Sequence, residues 1–253
     1  MRSLFRQRAL ESPAMEPLPA VFPKIEGAEI AAAVAGQRIA GDFYDSLRVS
    51  PERILFGLLD LAGRREENGA VLAVAQQTFR SQGAELFSKV DINEADAMTD
   101  LSLRINRKLL EVSQGVHSCP AFIACYHEKF GTLCYTNAGH TPALLRDRTG
   151  IVELSSTGLP LGLFSHATHD APTVGLGRSA GLLVVSRGVV ECGTESHDPA
   201  SEFGLERVKE ALQHTSLDHA QALCTAILDT AGKFSNGASF CDDLTALALI
   251  RTG

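Results

Sequence analysis

Hydrophobic and polar positions alternate in blocks along the chain, and the period changes from block to block. The stretch AEIAAAVAGQRIAGDFYDSLRV (28–49) reads as two successive strands, and RILFGLLDLAG (53–63) is a continuous apolar run of the kind found inside a sheet. Residues 68–81 then place Val71, Val74, Ala75 and Phe79 on one face at helical spacing. Residues 94–112 do the same with Met98, Leu101, Ile105 and Leu109. AFIACYHEKFGTLCYTNAGHTPALLRDRTGIVELS (121–155) resolves into strands separated by Gly-containing turns, a meander. After the loop TGLPLGLFSHATHD, the run AGLLVVSRGVVEC (180–192) predicts another strand, 203–213 and 217–232 predict helices, and DDLTALALIR (242–251) predicts the last strand. Strands in hairpin order with helices grouped in pairs predict an α+β layered sandwich of antiparallel sheets covered by helices, not a doubly wound parallel sheet.

The acids fall where this pattern least favours them. Asp42, Asp60 and the pair Asp242 and Asp243 each sit at the edge of an apolar strand, where a lone carboxylate is heavily desolvated unless paired or metal-bound. Asp is also common at turns and strand ends, so each acid taken singly has a structural explanation. Taken together, hard oxygen ligands without His or Cys at metal spacing favour magnesium or manganese.

Composition narrows the classes. The 253 residues are 45% hydrophobic, enough for one sizeable core, and 23 Lys and Arg against 30 Asp and Glu leave a net charge of −7. That balance offers no basic footprint for nucleic acid or an anionic membrane. No apolar run reaches the ~20 residues of a membrane span, and the N-terminus lacks a secretory signal, so a cytoplasmic protein is expected. Six cysteines without a C-x-x-C pair read as reduced core fillers. Residues 1–20, charged and then punctuated by Pro13, Pro17 and Pro19, read as an N-terminal extension or linker before a domain spanning 21–251.

Seven short motifs add a resemblance. GDFYD (41–45), LDLAG (59–63), YTNAGHTPALL (135–145), STGLPLGL (156–163), SRGVVEC (186–192), EFGLERV (202–208) and DDLTALAL (242–249) occur in the order seen in the metal-dependent protein phosphatase (PPM) family. The branch this chain resembles is the stage II sporulation protein E type, which includes regulators of stress sigma factors. The resemblance implies a four-layer α/β/β/α sandwich, two antiparallel sheets flanked by paired helices, with a metal centre at one end. It implies hydrolysis of phosphoserine or phosphothreonine on a regulatory protein of the anti-sigma-factor-antagonist type, with one or two Mg2+ or Mn2+ ions. Carried over by position, Asp60 would be the bridging metal ligand beside the Leu61 carbonyl, Asp42 would hold a metal-bound water, and Asp242 would ligate the second ion. Asp45 and Asp243 would be supporting acids. Relatives often carry sensory domains ahead of this one, so regulation here is expected from a partner or from homodimerisation through the N-terminal segment.

The chain departs from the family at one decisive place. Where members read T-D-G or S-D-G, this chain reads Ser186-Arg187-Gly188, placing a cation where the second ion's aspartate belongs. At ~4 Å and an effective dielectric near 20, a guanidinium and a divalent ion repel by about 8 kcal/mol. Two readings follow. Either Arg187 turns outward or grips phosphate in a slow one-metal phosphatase, or it fills the metal position, pairs with Asp60 and Asp242, and makes a pseudo-phosphatase that binds a phosphoprotein. A third reading is an interaction module with no phosphate site. Arg64 and Arg65, in a charged turn, could recruit phosphate but read more simply as solvated. His166 and His169 read as surface residues of a loop, and His140 as a structural turn residue.

Overall fold

A computed structural model describes residues 17–36, 40–113, 118–193, 202–236 and 242–253; the side chains of 40, 62–67 and 113 also fall outside the described part. The order of elements is β1 (Ala28–Ala35), β2 (Ala40–Ser50), β3 (Arg53–Arg64), α1 (Arg65–Phe87), α2 (Glu94–Ser113), β4 (Ala121–His127), β5 (Thr132–Ala138), β6 (Ala143–Arg146), β7 (Ile151–Leu154), β8 (Thr173–Gly175), β9 (Ala180–Val185), α3 (Arg187–Glu191), α4 (Gly204–His214), α5 (Ala220–Phe234) and β10 (Leu244–Arg251). They form two antiparallel sheets, ordered β1-β10-β9-β6-β7 and β2-β3-β4-β5-β8.

The two-residue period of the strands sorts side chains into three buried layers. On β3, Ile54, Phe56 and Leu58 face the opposing sheet, where they meet Leu182, Val184, Leu247 and Leu249. The intervening Leu55, Leu59 and Leu61 face outward onto Phe79, Met98, Leu101 and Ile105 of α1 and α2. Leu183, Val185, Ala246 and Ala248 cover the far face of the other sheet with Val208, Leu223 and Ile227 of α4 and α5. A strand buried on both faces needs apolar residues at every position, which is why β3 reads as an unbroken run. The α/β/β/α sandwich expected from the resemblance is the observed architecture.

Three details differ from the sequence reading. α1 spans Arg65–Phe87, longer than the expected 68–81. The run 180–192 is not one strand: β9 stops at Val185, and Arg187–Glu191 form the short helix α3 behind Ser186. Gly188 permits this turn, because a Cβ there would overlap the Asp243 carbonyl oxygen at the start of β10. The chain ahead of β1 also packs against the fold: Gln76 of α1 accepts from the Leu18 amide at 2.7 Å and donates to its carbonyl at 2.8 Å, and Phe22 stacks on Tyr44 at 6.0 Å. The described cysteines are all buried and free, and Cys241 lies outside the described residues.

Candidate metal and phosphate centre

Strand alternation brings the acids together. In the antiparallel pair β2–β3, Asp42 stands directly opposite Asp60. Asp60 follows Ile54, Phe56 and Leu58 on the inter-sheet face, so both carboxylates lie at the mouth of the layer between the sheets. Gly41 sits opposite Leu61, and a Cβ there would overlap the Leu61 carbonyl oxygen, so only glycine allows β2 to approach this closely. Asp42 and Asp60 are 8% and 4% exposed. Burial, reinforced by the neighbouring Asp60 charge, pushes the Asp42 carboxyl up to about 8, even though the Thr245 hydroxyl donates to its Oδ2 at 2.7 Å.

The other sheet contributes the opposing wall. The Arg187 backbone amide donates to Asp60 Oδ2 at 3.2 Å. The Arg187 side chain lies across the same acids: its guanidinium is 3.4 Å from Asp242 Oδ2, 4.0 Å from Asp60 Oδ2 and 3.7 Å from Glu191 Oε2. Partial burial opposes its charge, but the carboxylates of Asp60, Glu191 and Asp242 outweigh that and raise the guanidinium's pKa. Asp242 is itself raised by burial, partly offset by the Asp243 amide, which donates to it at 2.8 Å, and by Arg187. Arg187 thus points inward, although its side chain stays 48% exposed.

The remaining predicted residues divide. Asp243 is buried at the site's edge, where its carbonyl accepts from Ser186. With Asp42, Tyr44, Thr245 and the segment Pro17–Ala20, it lines a cavity of about 430 Å3. Asp45 is not brought to the cluster: an odd number of residues from Asp42, it faces α1, paired with Arg80 at 2.6 Å and accepting from Gln76 at 3.2 Å. The side chains of Arg64 and Arg65 lie outside the described residues. His169 is buried, 3% exposed, with Nε2 donating to the Leu159 carbonyl at 2.7 Å, so it is a loop anchor and not a surface residue. His140 is held in its turn by Asn137, which accepts from its amide at 2.8 Å, and by the left-handed Gly139 at φ 65°. Burial lowers the His140 pKa. Sequence reasoning missed both Thr245 as the partner of Asp42 and Glu191 as a partner of Arg187. The i to i+4 spacing of Arg187 and Glu191 signals contact only once α3 is known to be helical.

A divalent ion fits one part of this centre and not the other. The buried pair Asp42 and Asp60, whose proximity helps to raise the Asp42 pKa, has the hard-oxygen chemistry that magnesium or manganese requires. The gap between Asp60 and Asp242 is already neutralised by the Arg187 guanidinium. In keeping with that, among the described residues no three His, Cys, Asp or Glu side chains converge tightly enough to cage an ion as they stand.

Two packed antiparallel sheets with flanking helices and acids at one mouth of the inter-sheet layer give this chain the fold seen in the PPM phosphatase class. Within that class, the sequence model of Stage II sporulation protein E (SpoIIE) matches residues 50–252, and the chain belongs to that family. It is 23% identical over 158 residues to phosphoserine phosphatase RsbP of Bacillus subtilis, a match covering 62% of this chain but 38% of RsbP. Among solved structures, the RsbU and RsbW domains of Rv1364c from Mycobacterium tuberculosis align with a TM-score of 0.72 at 21% identity, covering 91% of this chain and 62% of that one. RsbX in complex with magnesium aligns with a TM-score of 0.63 at 12% identity, covering 90% and 96%. At these identities the structural likeness establishes the fold. Among the described residues no helix is long and apolar enough to cross a membrane.

Proposed function

We propose that this domain is a metal-dependent serine/threonine phosphatase that works with a single divalent ion. Arg187 takes the place of the second ion, and the substrate is a phosphorylated regulatory protein of the anti-sigma-factor-antagonist type. The observation that carries this reading is the inward Arg187 guanidinium, lying against Asp60 and Asp242 beside the carboxylate pair Asp42 and Asp60. Asp60, Asp42 and the Leu61 carbonyl would hold Mg2+ or Mn2+, which when bound supplies Lewis acidity for water attack on phosphorus. Thr245 orients Asp42 by its 2.7 Å hydrogen bond. The half-exposed Arg187 fork presents donors to phosphate oxygens while its other edge stays on the acids. RsbP is named a phosphoserine phosphatase, which supports the substrate class; RsbX was crystallised with magnesium, which supports the ion.

The same ion pairs favour a second reading, a pseudo-phosphatase in which Arg187 permanently satisfies the acids and the domain only binds phosphoprotein. Calorimetric titration with manganese, followed by phosphate release from phosphoserine peptides and an aryl phosphate, separates the two. A stoichiometry near one that disappears in Asp60→Ala, together with phosphate release, is expected. Phosphopeptide binding without release would select the second reading, and two equivalent metal sites would refute the one-ion proposal.

A further inference from the structure

Beside the acid cluster stands a loop with the opposite chemistry. Residues 154–169 contain no Asp, Glu, Lys or Arg in a chain that is 21% charged. Within that stretch, Leu159, Leu163 and Phe164 expose 52%, 39% and 57% of their surface. Their exposure does not come from a loosely held loop. Leu161 and Cys119 exchange backbone hydrogen bonds at 2.8 and 3.0 Å. The Asn106 side chain accepts from the Gly162 amide at 2.8 Å and donates to the Phe164 carbonyl at 2.9 Å. The buried His169 ring holds the Leu159 carbonyl. The backbone is therefore tied down on α2 and on the segment entering β4, while three apolar side chains are turned outward.

The loop's position relates it to the centre. It follows β7, bridges to Ala138 at the end of β5 through Gly158, and packs Pro160 against Gly139. Those strand ends are on the same rim of the sandwich as Asp60, whose amide donates to the Pro120 carbonyl at 2.8 Å. β5 lies two strands from β3 in the sheet order, so the point where Gly158 bridges to β5 stands about 10 Å from the Asp60 strand at ordinary strand spacing. An extended peptide covers that distance in about three residues.

We propose that Leu159, Leu163 and Phe164 form the docking surface for an apolar side chain of the phosphorylated protein, about three residues from its phosphoserine. The inference rests on the phosphoprotein reading of the centre. A phosphoserine seated at Arg187 carries its neighbouring residues along this rim, where an uncharged strip rejects charged flanks and buries apolar ones. Charge depletion with exposed aromatic and aliphatic groups is the composition of a protein interface core.

The test compares the wild-type protein with Leu159→Ser/Leu163→Ser/Phe164→Ser, and with Phe164→Ser alone in case the triple variant does not fold. Fluorescence anisotropy measures binding of phosphoserine peptides carrying Leu, Ser or Glu three residues to either side of the phosphoserine. The wild type should bind the Leu peptide about tenfold more tightly than the Ser peptide, as burying one aliphatic side chain implies. That preference should vanish in the triple variant and shrink in Phe164→Ser. Equal preference in wild type and variants, or none in the wild type, overturns the proposal. A wild-type dimer in sedimentation that the substitutions dissociate overturns it too, assigning the strip to a second copy. Preference without phosphate release sustains docking and removes the catalytic reading. Release from all peptides alike does the reverse, and no binding of any phosphopeptide removes both.

Discussion

Replacing Arg187 with aspartate exchanges a guanidinium 3.4 Å from Asp242 Oδ2 and 4.0 Å from Asp60 Oδ2 for a carboxylate on the same wall. The local charge falls by two, and the introduced carboxylate joins those of Asp60, Asp242 and Glu191 around the position the guanidinium held. Repulsion between Arg187 and a divalent ion at ~4 Å is about 8 kcal/mol at an effective dielectric of 20 and about 2 kcal/mol if screened as in bulk water. With the arginine side chain 48% exposed, the lower bound is the safer one. Even ~2 kcal/mol is about 30-fold in affinity. Arg187→Asp should therefore bind manganese at a stoichiometry approaching two, the added ion at least about 30-fold tighter than any second ion in the wild type, as read by calorimetry. Phosphate release from an aryl phosphate should rise about tenfold or more, since that requires only ~1.4 kcal/mol of transition-state stabilisation. Adding Asp242→Ala should cancel both gains. Unchanged manganese binding would show that the guanidinium is not what keeps the second ion out. A fall in an activity already measurable in the wild type would show that Arg187 is itself a phosphate-binding catalytic group.

Two further outcomes follow from the buried acids. Burial pushes the Asp42 carboxyl up to about 8 in the folded protein, so the folded state holds its proton more tightly than the unfolded chain does. The stability this group contributes is fully present below the ordinary carboxylate range and is lost as pH rises through about 8. Metal-free protein should lose denaturant stability between pH 5 and pH 8, by on the order of a few kcal/mol, while Asp42→Asn should be flatter across that window; equal slopes would refute the assignment. Arg80→Ala should cost about 3 kcal/mol in urea unfolding, because it strips the close partner from Asp45, whose side chain is 1% exposed. Arg80→Ala/Asp45→Ala should recover part of that loss, and a double variant no more stable than the single would show that the pair is not the cause.

The layering of this protein was legible in its sequence because it depends on short periods. The unbroken apolar run of β3, the helical stripe through Met98, Leu101 and Ile105, and the meander from 121 to 155 each reflect which faces a local element must bury. Asp42 and Asp60 stood out for the same reason, as acids on strands whose neighbours are core residues. What the chain could not show was which side of an element each polar group faces and what comes to meet it from far away. Asp45 is only three residues from Asp42, yet the pleat sends it to α1 and Arg80, 35 residues on. Thr245 meets Asp42 across 203 residues, and only the packing of one sheet on the other joins them. Arg187 could have turned either way on sequence grounds; the Ser186 and Gly188 turn against Asp243, which replaces an expected strand with α3, turns it onto Asp60 and Asp242. Local periodicity is a property of the chain, whereas the company a buried charge keeps depends on two sheets closing over it.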